Sequence, residues 1–319
     1  MIFLLVIIVV LLTAAVIAVL PEFIGPRLSV LIYHRIAPDA DEAYDDLLYT
    51  VNESAFAEQM RYLGGGGVDV WGIGEIEAYF NGRLKLKRRT VAVTFDDGFQ
   101  SLLTRGLPIL KRNKVPAILF ASPYPYKHLF EDKADPILSP AELRELSQNG
   151  VSVQSHTLTH RPLSELRDEE VVAEFRYSKL ELEHITGEEV ISLGIPGNFY
   201  RRRLNEFLLR EGYRLCFSAD KGTNGVFDRD RLHVRRLIVE RETNLKTLLT
   251  PAGAVRARFL GILKKLPLAY FTPKRWEEIR GKIFSLPGIR PLLTSKGLTL
   301  LGGGFFLVLV VAILLGFLL

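Results

Sequence analysis

A single cysteine, Cys216, excludes any intrachain disulfide. That count fits a cytosolic chain and a disulfide-free domain outside the cell equally well. Internal repeats and low-complexity linkers are also absent, so no solenoid or array is encoded. Charge is missing from both ends. Ile2 to Leu20 has Thr13 as its one polar residue, and Leu298 to Leu319 carries no charge. About 20 apolar residues cross a bilayer as a helix. Residues 1–20 are therefore expected to form an uncleaved N-terminal transmembrane anchor. A cleaved signal peptide is the alternative, against which stand the long apolar run and the missing basic n-region. Residues 298–319 are expected to form a C-terminal transmembrane helix, in which Gly302, Gly303 and Gly304 are tolerable.

Acidic residues are scarce in one internal segment. Residues 251–297 hold ten Lys or Arg against Glu277 and Glu278, while the whole chain carries +5. The basic balance is thus local. Phe259, Phe271, Trp276 and several leucines are interleaved with the charges. Beside an apolar terminal run, this reads as a basic amphipathic segment lying on anionic lipid; a solvated helical hairpin is the alternative. No recognition module accompanies the charge, so no nucleic-acid partner is expected.

Residues 27–250 read as the globular part. Near-continuous apolar runs at Leu28–His34, Thr90–Phe95, Ala117–Ser122, Val151–His156 and Val190–Ile195 are expected strands, covered on both faces. Helical patterns lie between them. Ser139, Pro140 and Glu142 form a capping box with proline at the first helical position, and Gly150 marks the stop. Val171, Phe175, Ser178, Leu182 and Ile185 recur on one helical face. Alternating strands and helices predict a parallel α/β architecture, and about 220 residues suffice for a barrel-like version.

The chemistry is concentrated in two short stretches. In "VAVTFDDGFQ", Asp96 and Asp97 follow a buried strand. Two carboxylates about 4 Å apart repel by about 4 kcal/mol at an effective dielectric near 20, so either water screens them or a cation sits there. "SHTLTH" offers the cation's other ligands, since one helical turn would put His156 and His160 on one face. Two imidazoles and one carboxylate leave a zinc ion (Zn2+) one open position, as catalytic sites require. The second aspartate would then stand free as a general base. Both stretches end expected strands, where parallel α/β folds place their active sites.

"TFDDG" and "HTLTH" resemble the first two motifs of the NodB-type polysaccharide deacetylases, carbohydrate esterase family 4. "LIYHRI", "FAEQMRYL", "LPILKRNKVPAILF", "SHTLTHRPLSEL" and "LHVRRLIV" resemble the branch of poly-N-acetylglucosamine deacetylases, over about Val30 to Glu240. The resemblance implies a distorted, incomplete (β/α) barrel of the NodB type, here with a transmembrane helix at each end. It implies Asp96 as base, and Asp97, His156 and His160 as ligands of a divalent metal, with Zn2+ the favoured ion. "IPGN" resembles the third motif, with the Gly197 N–H helping to hold an oxyanion. The Leu-x-His motif that supplies the general acid in many members fits poorly at His233. In the resembling branch it is displaced to the domain start, which makes His34 the candidate acid. Arg236 resembles a branch arginine near the site, and a surface or structural role is the alternative.

Two departures stand out. Gly194 lies near a position that often carries an arginine, and the family's Asp-Trp pair is missing, with Asp220 only a distant stand-in. His128 and His184 read as surface residues and Cys216 as a core residue. The implied activity is removal of N-acetyl groups from an amino-sugar glycan by a membrane-anchored hydrolase. The positive-inside rule would place the basic segment, and the domain with it, in the cytoplasm; long domains translocate largely regardless of charge, and an outward-facing domain is the expectation. A lipid-linked amino sugar, O-acetyl ester cleavage and non-catalytic glycan binding are the alternatives.

Overall fold

The computed structural model describes residues 23, 25–39, 49–125, 135–198, 203–225, 230–241 and 243–265. Among them ten strands follow in chain order: β1 (Leu28–Tyr33), β2 (Arg35–Ala37), β3 (Thr50–Asn52), β4 (Asp69–Val70), β5 (Thr90–Asp97), β6 (Ala117–Ala121), β7 (Val151–Ser155), β8 (Ser192–Gly194), β9 (Leu215–Lys221) and β10 (Val234–Ile238). Seven of them close into a parallel ring in the order β1-β10-β9-β8-β7-β6-β5, with β5 returning to β1 through a six-residue register. This is the expected distorted barrel, one strand short of the eight of a full (β/α) barrel. β5 takes β1 along one edge. Along the other it takes β4 at Thr90 and Val91, then β6 from Val93 onward. β2 and β3 pair separately.

The period of two along each strand sorts the core into two faces. Leu28, Val30, Ala92, Ile118, Phe120, Leu215, Phe217 and Val234 line the inside of the ring, joined by Trp71, Ile76 and Tyr79. Leu31, Tyr33, Val91, Val93, Phe95 and Leu119 face outward under the helices. Those helices include α1 (Glu53–Gly64), α2 (Ile73–Phe80), α3 (Leu107–Asn113), α4 (Pro140–Gln148), α5 (Asp168–Thr186), α6 (Leu204–Arg210) and α7 (Pro251–Lys265). α4 begins as expected, with Ser139 Oγ accepting from the Glu142 N–H and the Glu142 carboxylate accepting the Ser139 N–H at 2.7 Å. α5 buries Val171, Phe175, Ser178, Leu182 and Ile185 on one face and stops at Gly187, whose φ of +75° suits a helix end.

The chain divides into two units, Met1–Phe259 and Leu260–Leu319, and the ring belongs to the first. Among the described residues no helix is long and apolar enough to cross a membrane. The expected transmembrane segments at 1–20 and 298–319, residues 266–297 of the basic segment, and His128 lie outside the described residues.

Candidate active site

Because the ring is all parallel, the C-terminal ends of its strands share one rim. Tyr33 ends β1, Asp97 ends β5, Ser155 ends β7 and Gly194 ends β8. The alternation that points Ala92 inward also points Thr94 and Asp96 inward. Asp97 would face outward in a regular strand, but its φ of +74° breaks the alternation. A non-glycine residue rarely holds this conformation, and such strain clusters at functional sites.

The two imidazoles converge on Asp97. Oδ1 of Asp97 lies 3.4 Å from His156 Nε2 and 3.1 Å from His160 Nε2. One ligand atom from each of the three side chains falls within 4.8 Å of the others. Ligands at about 2.0–2.1 Å from a tetrahedral divalent ion stand about 3.3 Å apart, close to both Asp97–imidazole spacings. The donor chemistry agrees. His156 Nδ1 lies 2.7 Å from the Gly194 carbonyl, which fixes the N–H on Nδ1 and leaves the Nε2 lone pair for a metal.

The imidazoles meet by a route different from the expected helical turn. Residues 156–160 form a loop in which Thr157 and His160 have φ of +68° and +60°. Two left-handed residues reverse the chain within five positions and aim both rings at one point. The His160 N–H closes this reversal on Thr157 Oγ1 at 3.1 Å.

Asp96 is 5% exposed and has a different partner. Arg236, fully buried on β10, donates from Nη1 to Asp96 Oδ1 at 2.7 Å and from Nη2 to Oδ2 at 2.9 Å. It also donates to Thr94 Oγ1 and the Ser218 carbonyl. Burial would raise the Asp96 pKa, but Arg236, with His156 and His34, outweighs it and holds the carboxyl below its usual range. For Asp97, burial is again opposed, here by the hydrogen bonds of His156 and His160, and the pKa lies well below the usual range. The pair can therefore carry two charges side by side, because separate cationic or hydrogen-bonding partners serve each.

His34 follows β1 at the rim and stacks on Tyr49, with ring centroids 4.9 Å apart. Burial lowers its pKa, while the charges of Asp97 and Asp96 pull the other way. The segment after it is tied to the aspartate loop: the Ile36 N–H donates to Ser101 Oγ, and the Ser101 N–H to buried Asp135. Gly197 sits in the turn Pro196–Asn198 after β8 with φ of +60°, a conformation glycine adopts without strain.

Residues 83–216 match the family model of polysaccharide deacetylases. Over that stretch the chain is similar to the polysaccharide deacetylase domain. It is similar to deacetylase PplD of Streptococcus pyogenes, solved in complex with acetate, at 22% identity and a TM-score of 0.61 over 73% of this chain and 99% of that one. It is also similar to IcaB from Ammonifex degensii, at 25% identity and a TM-score of 0.58 over 72% of this chain and 98% of that one. In sequence, 78 residues are 38% identical to the poly-beta-1,6-N-acetyl-D-glucosamine N-deacetylase of Escherichia coli K12, covering 24% of this chain and 12% of that protein. YxkH of Bacillus subtilis is 22% identical over 61% of this chain and 66% of its own length. The chain thus spans less than two thirds of these two relatives.

The structure decides the open position of Arg236, which is inside the ring on Asp96. It also explains Gly194. A Cβ there would lie 2.7 Å from Phe120 Cγ, so no side chain fits, and the guanidinium reaches the aspartate from β10 instead. Gly194→Ala is expected to destabilise the domain by about 1–3 kcal/mol, the usual cost of overpacking, read as a lower urea midpoint at unchanged slope. His233 and Asp220, poor fits to the family motifs, pair with each other at 2.8 Å. Cys216 is fully buried, and burial pushes its thiol pKa far up, consistent with a core residue.

Proposed function

We propose that the domain removes N-acetyl groups from an N-acetylglucosamine-type glycan with the help of a divalent metal, zinc being favoured. The carrying observation is the convergence of Asp97, His156 and His160 beside a second, separately partnered carboxylate, Asp96. The similarity to the Escherichia coli enzyme supports the substrate class. Asp97 Oδ1 and the two Nε2 atoms would hold the ion. When bound, it supplies Lewis-acid polarisation of the acetyl carbonyl and a lowered pKa for attacking water.

The chain's own groups do the rest. Asp96, kept ionised by Arg236, takes the proton from the attacking water. Its depressed pKa makes it a weak base alone, which suits water that has already been acidified. The Gly197 N–H donates to the oxygen that becomes negative as the carbonyl carbon turns tetrahedral. His34 carries a proton to the departing sugar amine. The C–N bond breaks, giving acetate and a free amine. The apolar ends and the basic segment support a bilayer-anchored protein. The positive-inside rule alone would put the basic segment in the cytoplasm, but long domains translocate largely regardless of charge and a polymeric glycan lies outside, so the domain is assigned outward; protease accessibility in intact against broken cells tests that placement.

Incubation with N-acetylated β-1,6-glucosamine oligomers is expected to release acetate. Removing metal with a chelator should abolish release, and added zinc should restore it. Full activity in rigorously metal-free protein would overturn the metal's part. Activity on lipid-linked amino sugars alone would move the substrate.

A further inference from the structure

Helix α5 carries three polar side chains, Glu174, Ser178 and Glu181, at spacings of four and three that put them on one face. Each reaches the segment that bears the imidazoles or a residue bonded to it. Glu174 Oε2 accepts the Thr159 N–H at 2.9 Å, and its Oε1 accepts the Thr159 hydroxyl at 2.5 Å. Ser178 Oγ lies 2.7 Å from Ser155 Oγ. Glu181 accepts the Tyr124 hydroxyl at 2.7 Å, and the Tyr124 N–H donates to the Leu158 carbonyl at 3.0 Å. The residue just before each imidazole, Ser155 before His156 and Thr159 before His160, is therefore fastened to the same helix.

We propose that Glu174 is a positioning residue for the metal site, acting through Thr159 to hold His160 in line with Asp97. This rests on the metal reading above. Glu174 is 6% exposed, and its two carboxylate oxygens accept two hydrogen bonds from one residue. The loop it grips needs that hold, because Thr157 and His160 both sit at positive φ. Released from the clasp, the loop relaxes toward commoner backbone angles and carries His160 Nε2 away from Asp97 Oδ1. The position is unusual for a glutamate: it is one residue before Phe175 on the buried face, where an apolar side chain would serve packing alone.

Zinc affinity of the full chain, measured by competition with a chelating dye, tests this beside the melting temperature of the metal-free protein. Glu174→Ala should weaken zinc binding by about 10–100-fold, the range seen when outer-shell partners of metal ligands are removed. Glu174→Gln should stay close to the parent, because its amide oxygen still accepts the Thr159 N–H and its amide nitrogen can donate to the Thr159 hydroxyl oxygen. Thr159→Val, which loses only the hydroxyl bond, should fall between. Parent-like zinc affinity in folded Glu174→Ala would overturn the proposal. So would Glu174→Gln as weak as Glu174→Ala, which would assign the effect to charge. If Glu174→Ala fails to fold, Thr159→Val decides: weaker zinc at a parent-like melting temperature supports the clasp, and unchanged zinc refutes it. A parent that binds no zinc overturns the metal reading together with the clasp, whereas zinc bound equally by parent and variants overturns the clasp alone.

Discussion

Asp96→Asn is expected to abolish measurable acetate release while zinc still binds. The substitution keeps the shape of the side chain and removes its charge and its capacity to take a proton. Asp97, His156 and His160 are untouched, so zinc affinity should change little. Loss of a general base costs about 10²–10⁴-fold in rate. The variant has one side effect that must be separated from this. Asp96 neutralises the fully buried Arg236 through two hydrogen bonds. Leaving a buried charge without its partner costs about 3–5 kcal/mol. The melting curve therefore has to show that Asp96→Asn is folded at the assay temperature. The double variant Asp96→Asn with Arg236→Met removes the stranded charge and should be more stable than Asp96→Asn while remaining inactive. Full activity in folded Asp96→Asn would remove this residue from the mechanism.

Arg236→Met has the second large effect, on both pH dependence and stability. Methionine keeps much of the length of the side chain and can still pack near Phe120, over whose ring the guanidinium lies at 5.2 Å. What disappears is the charge that opposes burial at Asp96. With Arg236 gone, burial raises the Asp96 pKa, opposed only by His156 and His34. More of the base is then protonated at any mildly acidic pH. The acid limb of kcat/KM should move to higher pH, with activity recovered in part on the alkaline side. The stability effect has a definite sign. A carboxyl whose folded pKa is depressed stabilises the fold above its unfolded pKa and loses that contribution as pH falls through the folded value. The variant lacks the contribution, so its deficit, about 3–5 kcal/mol at neutral pH, should narrow as the pH drops below the usual carboxylate range. An unmoved acid limb would reduce Arg236 to a packing role.

Much of this site was readable from residue order, and the exceptions have physical causes. β1, β5, β6, β7 and β8 announced themselves as near-continuous apolar or β-prone runs. β10 was not among the expected strands, because Arg235 and Arg236 interrupt its pattern; β9 showed only as the short apolar stretch around Cys216, before Ser218, Asp220 and Lys221. β2, β3 and β4 have two or three residues each and leave no periodicity to detect. The cluster of Asp97, His156 and His160 was legible because histidines are few and the two motifs follow expected strands. Its geometry was not: a His-x-x-x-His spacing suggests a helical turn, and nothing in the letters announces positive φ at Thr157 and His160.

Arg236 contacts a partner 140 positions away, so no local signal records the ion pair. One clue existed. Arg236 shares the phase of inward-facing Val234, and a charged residue at an interior position needs an opposite charge to meet. Glu174 gave a similar clue, standing three residues after Val171 on a face otherwise built for the core. Gly194 read as a departure from the family pattern. With Phe120 against it and Arg236 supplying the guanidinium from another strand, the departure becomes a relocation.

X-ray absorption at the zinc edge of the purified, zinc-loaded chain reads the metal's neighbours themselves. One zinc per chain is expected in a shell of nitrogen and oxygen at about 2.0–2.1 Å, with the outer scattering of two imidazoles. That imidazole signal should disappear in the His156→Ala, His160→Ala double variant. A shell without imidazoles, or one unchanged in the double variant, would contradict the account.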